Sequence, residues 1–377
     1  MTHTKDSARE QVLYMAMELS KRWWKLGFGV NARRCSKVSV QAGALGDLLA
    51  QISKAKRRFA LADSARVLSC YEAGRDGFWI HRALASHQIE NVVVDPASIE
   101  VNRRRRRAKT DRLDVERLLK GLVTYHEHDR DTWAVVRVPS AAAEDERRVH
   151  RELDRLTKER TGHRARIQAL LATVGVERKP TKDFVQWLEH AQAWDGRALP
   201  SALRAELGRE YVRLQLVEQQ MDALRAEMEQ RIEQPQTKAD EQAKRLQELV
   251  AIGPFGSWIL AKELLAWRAF SNRKQVGAIV GLTPTPFDSG DSEREQGISK
   301  AGNWRVRKLM TQLAWTWLRH QPDSRISRWY ADKFAAGASR ARRVGIIAVA
   351  RRLLVALWRW ADQGVVPDGA RLRPPAK

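Results

Sequence analysis

Cysteine is scarce in this chain, which has only Cys35 and Cys70 among its 377 residues. Two cysteines cannot build a disulfide framework or a four-cysteine zinc ribbon, so a disulfide-rich domain and a zinc-ribbon domain are both excluded. The opening residues, MTHTKDSAREQ, also lack the apolar core of a signal peptide. Together these absences predict a protein of the reducing cytoplasm.

The chain also lacks an apolar run that is free of charge. Its most apolar stretch, residues 344–361, carries Arg351 and Arg352 at the centre, where a charge is costly in lipid. The basic residues are spread along the whole chain and are not gathered on one amphipathic helix, which argues against a membrane surface as partner. We therefore expect a buried or interface helix here and no membrane association.

Acidic residues are too few to balance the basic ones. The 68 Lys and Arg outnumber the 45 Asp and Glu, which gives a formal charge of +23. This excess predicts a polyanion as partner, and its even spread favours nucleic acid. Familiar major-groove readers, such as a zinc finger or the basic region of a leucine zipper, are not found in the sequence.

The chain has three regions of different character. Residues 11–124 alternate between strand-like and helical runs, as in a mixed α/β domain. Further on, apolar residues recur about every 3.6 positions between residues 203 and 232, as in a long helix. We predict an α/β domain over 1–140, an antiparallel coiled-coil arm with a linker over 141–240, and a mainly helical domain over 241–377. The arm could be a spacer or a dimerisation surface, and the spacing favours neither.

Four acidic residues lie where predicted elements begin or end. Glu18 and Glu72 end the predicted strands QVLYMAMELS and ARVLSCYEAG, and Asp111 and Asp114 share one face of the helix TDRLDVERLLKGL. If these carboxylates converge, their repulsion predicts a divalent cation held by oxygen ligands, such as Mg²⁺. In the alternative interpretation, the two aspartates merely stabilise the first turn of the helix and the glutamates are solvated strand ends.

A basic run precedes the acidic helix, with six charged residues in the seven from Arg103 to Lys109. It is either a solvated face or a loop that grips phosphates. The candidate nucleic-acid contacts in this run are Arg103, Arg104, Arg105, Arg106, Arg107 and Lys109.

The segment LQELVAIGPFGSWILAKELLAW has the pattern of a helix-hairpin-helix. Gly253 and Gly256 would permit a tight turn, and the backbone N–H groups that open the second helix could take a phosphate without reading sequence. A plain hairpin of two helices is the alternative.

The most informative stretch is GLTPTPFDSGDSEREQGISKAGNWRVRKL, residues 281–309. Its prolines and the step from Ser289 to Gly290 predict an exposed loop, and two later glycines predict a second turn into a basic helix. Such a loop can hold a hydroxyl in the open while nearby cations attract phosphate. An ordinary polar loop that enters an amphipathic helix is the alternative. The candidate cations are Lys300, Arg305 and Lys308, and Ser292 and Ser299 are further hydroxyls in the stretch.

Two parts of the sequence resemble the DEDD-type transposases of the one-ten insertion-sequence family. The 281–309 stretch is similar to the family's C-terminal signature, in which G-L-x-P leads through Ser-Gly to G-I-S-K-x-G-N and a basic helix. The segments MELSK, YEAG and KTDRLD resemble the three motifs of the family's RuvC-like, RNase-H-fold domain. On this resemblance Glu72, Asp111 and Asp114 match the second, third and fourth acids. Glu18 stands where the family has Asp, and its extra methylene changes the reach of the carboxylate.

The resemblance implies a DNA transposase in which Ser289 attacks the DNA backbone and forms a 5′-phosphoserine link. It implies that Glu18, Glu72, Asp111 and Asp114 bind Mg²⁺, and that a structured bridge RNA chooses the target. We also expect a dimer or tetramer with composite active sites. Two other hypotheses are a metal-dependent, structure-selective nuclease and a non-catalytic nucleic-acid-binding relic.

Overall fold

The computed structural model describes residues 11–99, 111–289 and 292–374. The chain divides into two compact units, and the boundary lies between Val138 and Pro139. Each unit has its own buried apolar core. The further division of the second unit into an arm and a C-terminal domain stays a prediction.

A five-stranded mixed sheet forms the centre of the first unit. Its order is β3-β2-β1-β4-β5, with β1–β2 and β2–β3 antiparallel and β1–β4 and β4–β5 parallel. Parallel neighbours need a crossover connection, and helices supply both of them. The predicted mixed α/β domain is therefore confirmed. Its elements are β1 (Val12–Leu19), β2 (Trp23–Gly29), β3 (Ser36–Gln41), α1 (Leu45–Arg58), β4 (Arg66–Glu72), α2 (Trp79–Ser86), β5 (Glu90–Val94) and α3 (Asp111–Glu127).

The strand pattern predicted from the sequence omitted β2, whose residues WWKLGFG show no clean alternation. Its glycines are explained by close packing. A Cβ at Gly27 would come within 2.4 Å of Val115 Cγ1 on α3, and one at Gly29 within 2.7 Å of the Arg34 carbonyl oxygen. Glycine in a strand often marks such an approach.

Helices cover both faces of the sheet, so its central strand β1 is buried on both sides. Alternate residues Leu13, Met15 and Met17 pack in the core that α1 and α2 share. The residues between them pack against Leu118, Leu119 and Leu122 of α3. A strand buried on both faces has a nearly continuous apolar sequence, which explains the run VLYMAM.

The second unit begins with four helices, of which the two long ones lie antiparallel. Leu153, near the start of α5, packs in one cluster with Ile232, at the end of α7. Leu171, at the end of α5, packs in another with Leu207, near the start of α7. Whether this pair acts as a spacer or in dimerisation stays a prediction. The helices are α4 (Ala141–Asp145), α5 (Arg148–Ala172), α6 (Phe184–His190) and α7 (Ser201–Glu233).

The remaining elements surround the long helix α13, which supplies Leu353, Leu354 and Leu357 to their core. Arg351 and Arg352 lie on its exposed side, as expected of a buried amphipathic helix. Among residues 11–99, 111–289 and 292–374, no helix has the length and apolarity needed to cross a membrane. These elements are α8 (Lys238–Gln247), α9 (Pro254–Leu260), α10 (Arg273–Ala278), β6 (Pro284–Ser289), β7 (Ser292–Ile298), α11 (Trp304–His320), α12 (Arg325–Tyr330) and α13 (Ser339–Gln363). Single π-helical turns continue α9 over Ala261–Leu265 and α12 over Ala331–Ala335.

Two glycines bring the segments before β6 and after β7 into backbone contact. Gly281 and Gly302 have φ of 66° and 81°, in the left-handed region. A Cβ at Gly302 would lie 2.1 Å from the Ile279 carbonyl oxygen, and one at Gly281 would lie 2.2 Å from that of Ala301. Both positions therefore require glycine for conformation and for space.

We expect Gly302→Ala to lower the free energy of unfolding by about 3 kcal/mol or more, because backbone strain and a backbone clash add up. Gly297→Ala is the matched control, since Gly297 also has a positive φ, 88°, but a Cβ there meets no atom of the described residues within 4 Å. The control should lose only about 1 kcal/mol. Thermal unfolding of both variants measures the difference, and equal losses would contradict the close packing at Gly302.

Candidate functional site

Glu18 and Glu72 lie at the C-terminal ends of neighbouring parallel strands. The register pairs Met17 of β1 with Tyr71 of β4, so each glutamate is the next residue along its strand. Both continue the sheet face that α3 covers, because Ala16 and Cys70, two residues earlier, pack in that core. Glu18 is half-buried and Glu72 is exposed. The sheet therefore brings these two predicted site positions side by side.

Helix α3 begins towards the same end of the sheet. Val115, near its start, packs on Gly27, which pairs with Ala16 near the end of β1. His126, near its end, has Nδ1 2.8 Å from the hydroxyl of Tyr14, near the start of β1. The helix thus runs antiparallel to β1, and its first turn, which contains Asp111 and Asp114, lies towards the glutamates.

The residue types at this sheet end are the hard oxygen donors that Mg²⁺ prefers. Asp114 is half-buried, with its carboxylate 3.6 Å from Arg117. Among the side chains that the structure describes, no three of His, Cys, Asp and Glu form a group that could hold a metal ion. The side chain of Asp111 is outside that set, so the four-acid Mg²⁺ site stays a prediction. The basic run Arg103–Lys109 also lies outside the described residues.

Gly253 and Gly256 do not form the turn that was predicted for them. Gly253 is the extended N-cap of α9, and Gly256 lies inside α9, buried against Leu309 and Leu313 of α11. The left-handed residue of this turn is Ala251, with φ of 84°. The expected geometry was wrong because the turn precedes both glycines. Phosphate binding by this element stays a prediction.

The predicted serine loop is a β-hairpin. Ser289, the last residue of β6, pairs with Ser292, the first residue of β7. The prolines indicated a loop, but a two-stranded ribbon has two free edges and tolerates proline there, and the ladder is irregular between Pro284 and Pro286. Gly290 and Asp291 lie between the strands and outside the described residues. Ser289 therefore stands beside the tip of a hairpin.

A buried carboxylate fixes the start of α11. Glu263, in the π-helical turn after α9, accepts hydrogen bonds from His150 and Arg151 of α5 and from Asn303. The Asn303 side chain in turn caps α11 by accepting from the backbone N–H groups of Arg305 and Val306. Sequence reasoning gave Glu263 no role. The available signal was a charged pair inside the apolar run SWILAKELLAW.

The other member of that pair, Lys262, enters a second buried network. Its ammonium group donates to Asp240 at 2.6 Å and to Glu146 at 2.9 Å, and it lies 4.7 Å from the ring centre of Trp258. Arg231 of α7 lies over the same ring. Lys262 and Glu263 thus bind the π-helical turn to α5, to α8 and to Glu146, the residue that follows α4.

The three predicted cations near α11 differ in availability. Arg305 donates to Asp154 of α5 at 3.1 Å and stacks on the ring of Trp304. Lys300 and Lys308 are exposed. A phosphate could therefore reach the two lysines, while Arg305 is already held in place.

Comparison with known proteins gives this arrangement a family. Residues 243–328, from α8 to α12, match the family described as "Transposase IS116/IS110/IS902 family". Over 96% of its length the chain is 40% identical to "Putative transposase y4rJ" of Sinorhizobium fredii, of which it covers 95%. The chain belongs to the IS116/IS110/IS902 transposase family. The resemblance noted in the sequence is thereby confirmed, and the protein is a transposase, an enzyme that acts on DNA.

More distant relatives of this transposase carry insertion-sequence names. It is 24% identical to "Transposase for insertion sequence element IS1328" of Yersinia enterocolitica, over 58% of this chain and 63% of that protein. It is 27% identical to "Transposase for insertion sequence element IS1111A" of Coxiella burnetii, over 44% and 45% of the two chains. The 243–328 match contains Glu263, the hairpin and Asn303, while His150 and Arg151, the other partners of Glu263, precede it.

The Glu263 network is sensitive to pH through His150. Burial lowers the pKa of His150 despite its hydrogen bond to Glu263, and its Nδ1 has no hydrogen-bond partner among the described residues. A proton there would be a buried, unpaired donor, so the neutral Nε2–H form fits best. Burial acts to raise the pKa of Glu263, but the hydrogen bonds from His150 and Arg151 hold it well below its ordinary value.

We expect the transposase to lose stability as pH falls from 7.5 to 5.5, because unfolded His150 takes a proton near pH 6.5 while the folded form resists it. Glu263 stays ionised in both states over most of this window and contributes little to the change. His150→Gln should reduce the loss by up to about 1 kcal/mol. Thermal unfolding at several pH values measures this.

The matched control is His320→Gln, since His320 is exposed on α11. It should leave the pH dependence unchanged. If His150→Gln also has no effect on the slope, His150 is not held neutral in the folded protein.

Proposed function

We propose that this transposase cuts and rejoins the DNA strands of an insertion sequence. Ser289 would be the nucleophile, and an acidic cluster that binds Mg²⁺ would activate the reaction. The observation that carries the proposal is the position of Glu18 and Glu72 at the ends of neighbouring parallel strands. A three-stranded antiparallel part followed by two parallel strands is compatible with an RNase-H-like, RuvC-type sheet.

Glu18, Glu72, Asp111 and Asp114 would hold the cation. Asp111 and Asp114 both belong to the first turn of α3 and are three residues apart. Bound Mg²⁺ would supply positive charge that stabilises phosphate oxygens and eases the loss of a hydroxyl proton. The side chain of Glu18 is one methylene longer than that of the family's Asp. Because Glu18 is half-buried on β1, the longer side chain would let its carboxylate extend from the sheet towards the cation.

Ser289 would attack the phosphorus of the scissile phosphodiester. The bond from phosphorus to the 3′ oxygen then breaks and a 5′-phosphoserine link forms. The serine hydroxyl gives up one proton and the departing 3′ oxygen takes up one to become a hydroxyl, so the step balances. The backbone position of Ser289 beside a hairpin tip supports this role. Lys300 and Lys308, both exposed near the start of α11, would hold the neighbouring phosphates.

The net charge of +23 comes from basic residues that are spread along the whole chain, and it supports a nucleic-acid partner. We propose that the basic run Arg103–Lys109 and the start of α9, where Gly253 is the N-cap, contact the DNA backbone, and that a structured bridge RNA guides target choice. We also propose a cytoplasmic homo-oligomer in which Ser289 of one copy works with the acids of another. The acids and the serine lie in different compact units, which leaves such an exchange possible.

Ser289→Ala should abolish the covalent protein–DNA adduct, because no other atom of that residue can bond to phosphorus. DNA affinity should stay within a few-fold, since one neutral hydroxyl adds little to binding dominated by phosphates. The measurement is denaturing electrophoresis after incubation with a labelled suicide substrate.

Ser292→Ala is the matched control, because Ser292 faces Ser289 across the hairpin and should keep the adduct. Peptide mapping then locates the bound nucleotide. A remnant on Ser292 or Ser299 would reassign the nucleophile, and cleavage without any adduct would favour the structure-selective nuclease.

Glu72→Gln should lower Mg²⁺-dependent cleavage by about a hundredfold or more, because it removes a charged oxygen ligand while keeping the side chain's shape. Glu90→Gln is the control, since Glu90 begins β5 and pairs with Arg66 away from the acidic end. Single-turnover cleavage measured over a range of Mg²⁺ concentrations gives the comparison. Equal activity of the two variants would remove Glu72 from the site, and no Mg²⁺ response in wild type would favour the non-catalytic relic.

A further inference from the structure

Helix α11 has one buried face and one exposed face of unusual composition. The buried face packs Val306, Met310 and Trp317 into the core of the second unit. Five of the six exposed residues of α11 recur at positions separated by four, four, three and four. We call the second set the tryptophan face, and it consists of Trp304, Lys308, Gln312, Trp315 and Arg319.

These five residues form a continuous stripe. At 100° per residue they fall within about 80° of the helix circumference. Trp304 and Trp315 are eleven residues apart in the helix, so their Cα atoms are separated by about 16 Å along its axis. Lys308 lies between them, and Arg319 lies one turn beyond Trp315. The helix therefore presents aromatic and cationic groups in alternation.

Both indoles are open to solvent. Trp304 is 45% exposed and Trp315 is 53% exposed. Single exposed apolar residues need no explanation, but two tryptophans on one face mark an interaction surface. The guanidinium of Arg305 lies 4.6 Å from the ring centre of Trp304 and is anchored to Asp154. One side of the Trp304 ring is thus already taken, which restrains the ring and leaves its other side for a ligand.

The charge of α11 identifies the kind of ligand. Its seventeen residues include no Asp or Glu, and four of them are Arg or Lys. This favours a polyanion over an apolar peptide or a lipid tail. Flat aromatic rings beside cations are the means by which proteins hold unpaired nucleic-acid strands, because bases stack on the rings and phosphates meet the cations. A duplex keeps its bases stacked inside and offers none to an indole on a helix surface.

We propose that the tryptophan face binds an unpaired strand of nucleic acid, with one base on Trp304, another on Trp315, and Lys308 and Arg319 on the phosphates. The separation of about 16 Å is spanned by two or three nucleotides of an extended strand. This site is separate from strand cleavage: it needs neither Ser289 nor a metal ion. An unpaired DNA strand and an unpaired RNA strand share this chemistry.

The test measures fluorescence polarisation of three labelled probes: a short oligothymidylate, an oligouridylate of equal length, and a duplex of mixed sequence. Full-length protein carrying Ser289→Ala is used without Mg²⁺, so that the result does not depend on cleavage or on the proposed nucleophile. The variants Trp304→Ala and Trp315→Ala should each weaken binding of a single strand about tenfold, with less effect on the duplex. Trp→Phe at either position should restore most of the affinity, because phenylalanine also offers a stacking face.

Trp194→Ala is the matched control, since Trp194 is 80% exposed but lies outside α11, and it should bind both strands as wild type does. A loss confined to oligothymidylate or to oligouridylate supports the site and identifies its strand. Equal weakening for the duplex, unchanged binding of both single strands, or failure of Trp→Phe to rescue would overturn the proposal. So would a drop in oligomer size in sedimentation that accounts for the whole loss, because the face would then be a contact between copies.

Discussion

The ionised carboxylate of Glu263 is the interaction on which the order of the second unit depends. It is almost completely buried, and burial of a lone charge is very costly. Donors from two other segments offset that cost: His150 and Arg151 on α5, and Asn303 before α11. Because removal of any one donor leaves a buried charge less well paired, these segments are held together as a set. This arrangement fixes the start of α11, and with it the positions of Lys300 and Lys308.

In the first unit the corresponding constraint is the parallel register of β1 and β4. It sets Glu18 beside Glu72, and the antiparallel course of α3 turns Asp111 and Asp114 to the same end. None of these residues is near another in sequence except the two aspartates. The position of Glu18 beside Glu72 thus depends on pairing between strands that are distant in sequence. The hairpin that carries Ser289 depends instead on pairing between strands that are adjacent in sequence, in the other unit.

Sequence patterns succeeded where one period or one motif dominated. Strands β1 and β4 followed from short apolar runs, and the long helix α7 followed from the 3.6-residue spacing. Strand β2 was missed because Gly27 and Gly29 serve contacts with residues that lie far away in sequence or across a turn. The hairpin was predicted to be a loop because its prolines suggested a break in regular structure. A strand tolerates proline at a free edge, and the sequence around the proline does not show whether the edge is free. Glu263 had no motif at all, since its partners come from positions 150, 151 and 303.

The close approaches of Gly281 to Ala301 and of Gly302 to Ile279 close the base of the segment that contains the hairpin. Backbone hydrogen bonds from Ser299 to Thr283, from Lys300 to Gly281 and from Asn303 to Ile279 complete the closure. The chain therefore enters the hairpin and leaves it at adjacent backbone positions. Changes of length or sequence at its tip do not have to move α10 or α11, so the chemistry at the tip can diverge between relatives while the helical frame beneath it stays the same.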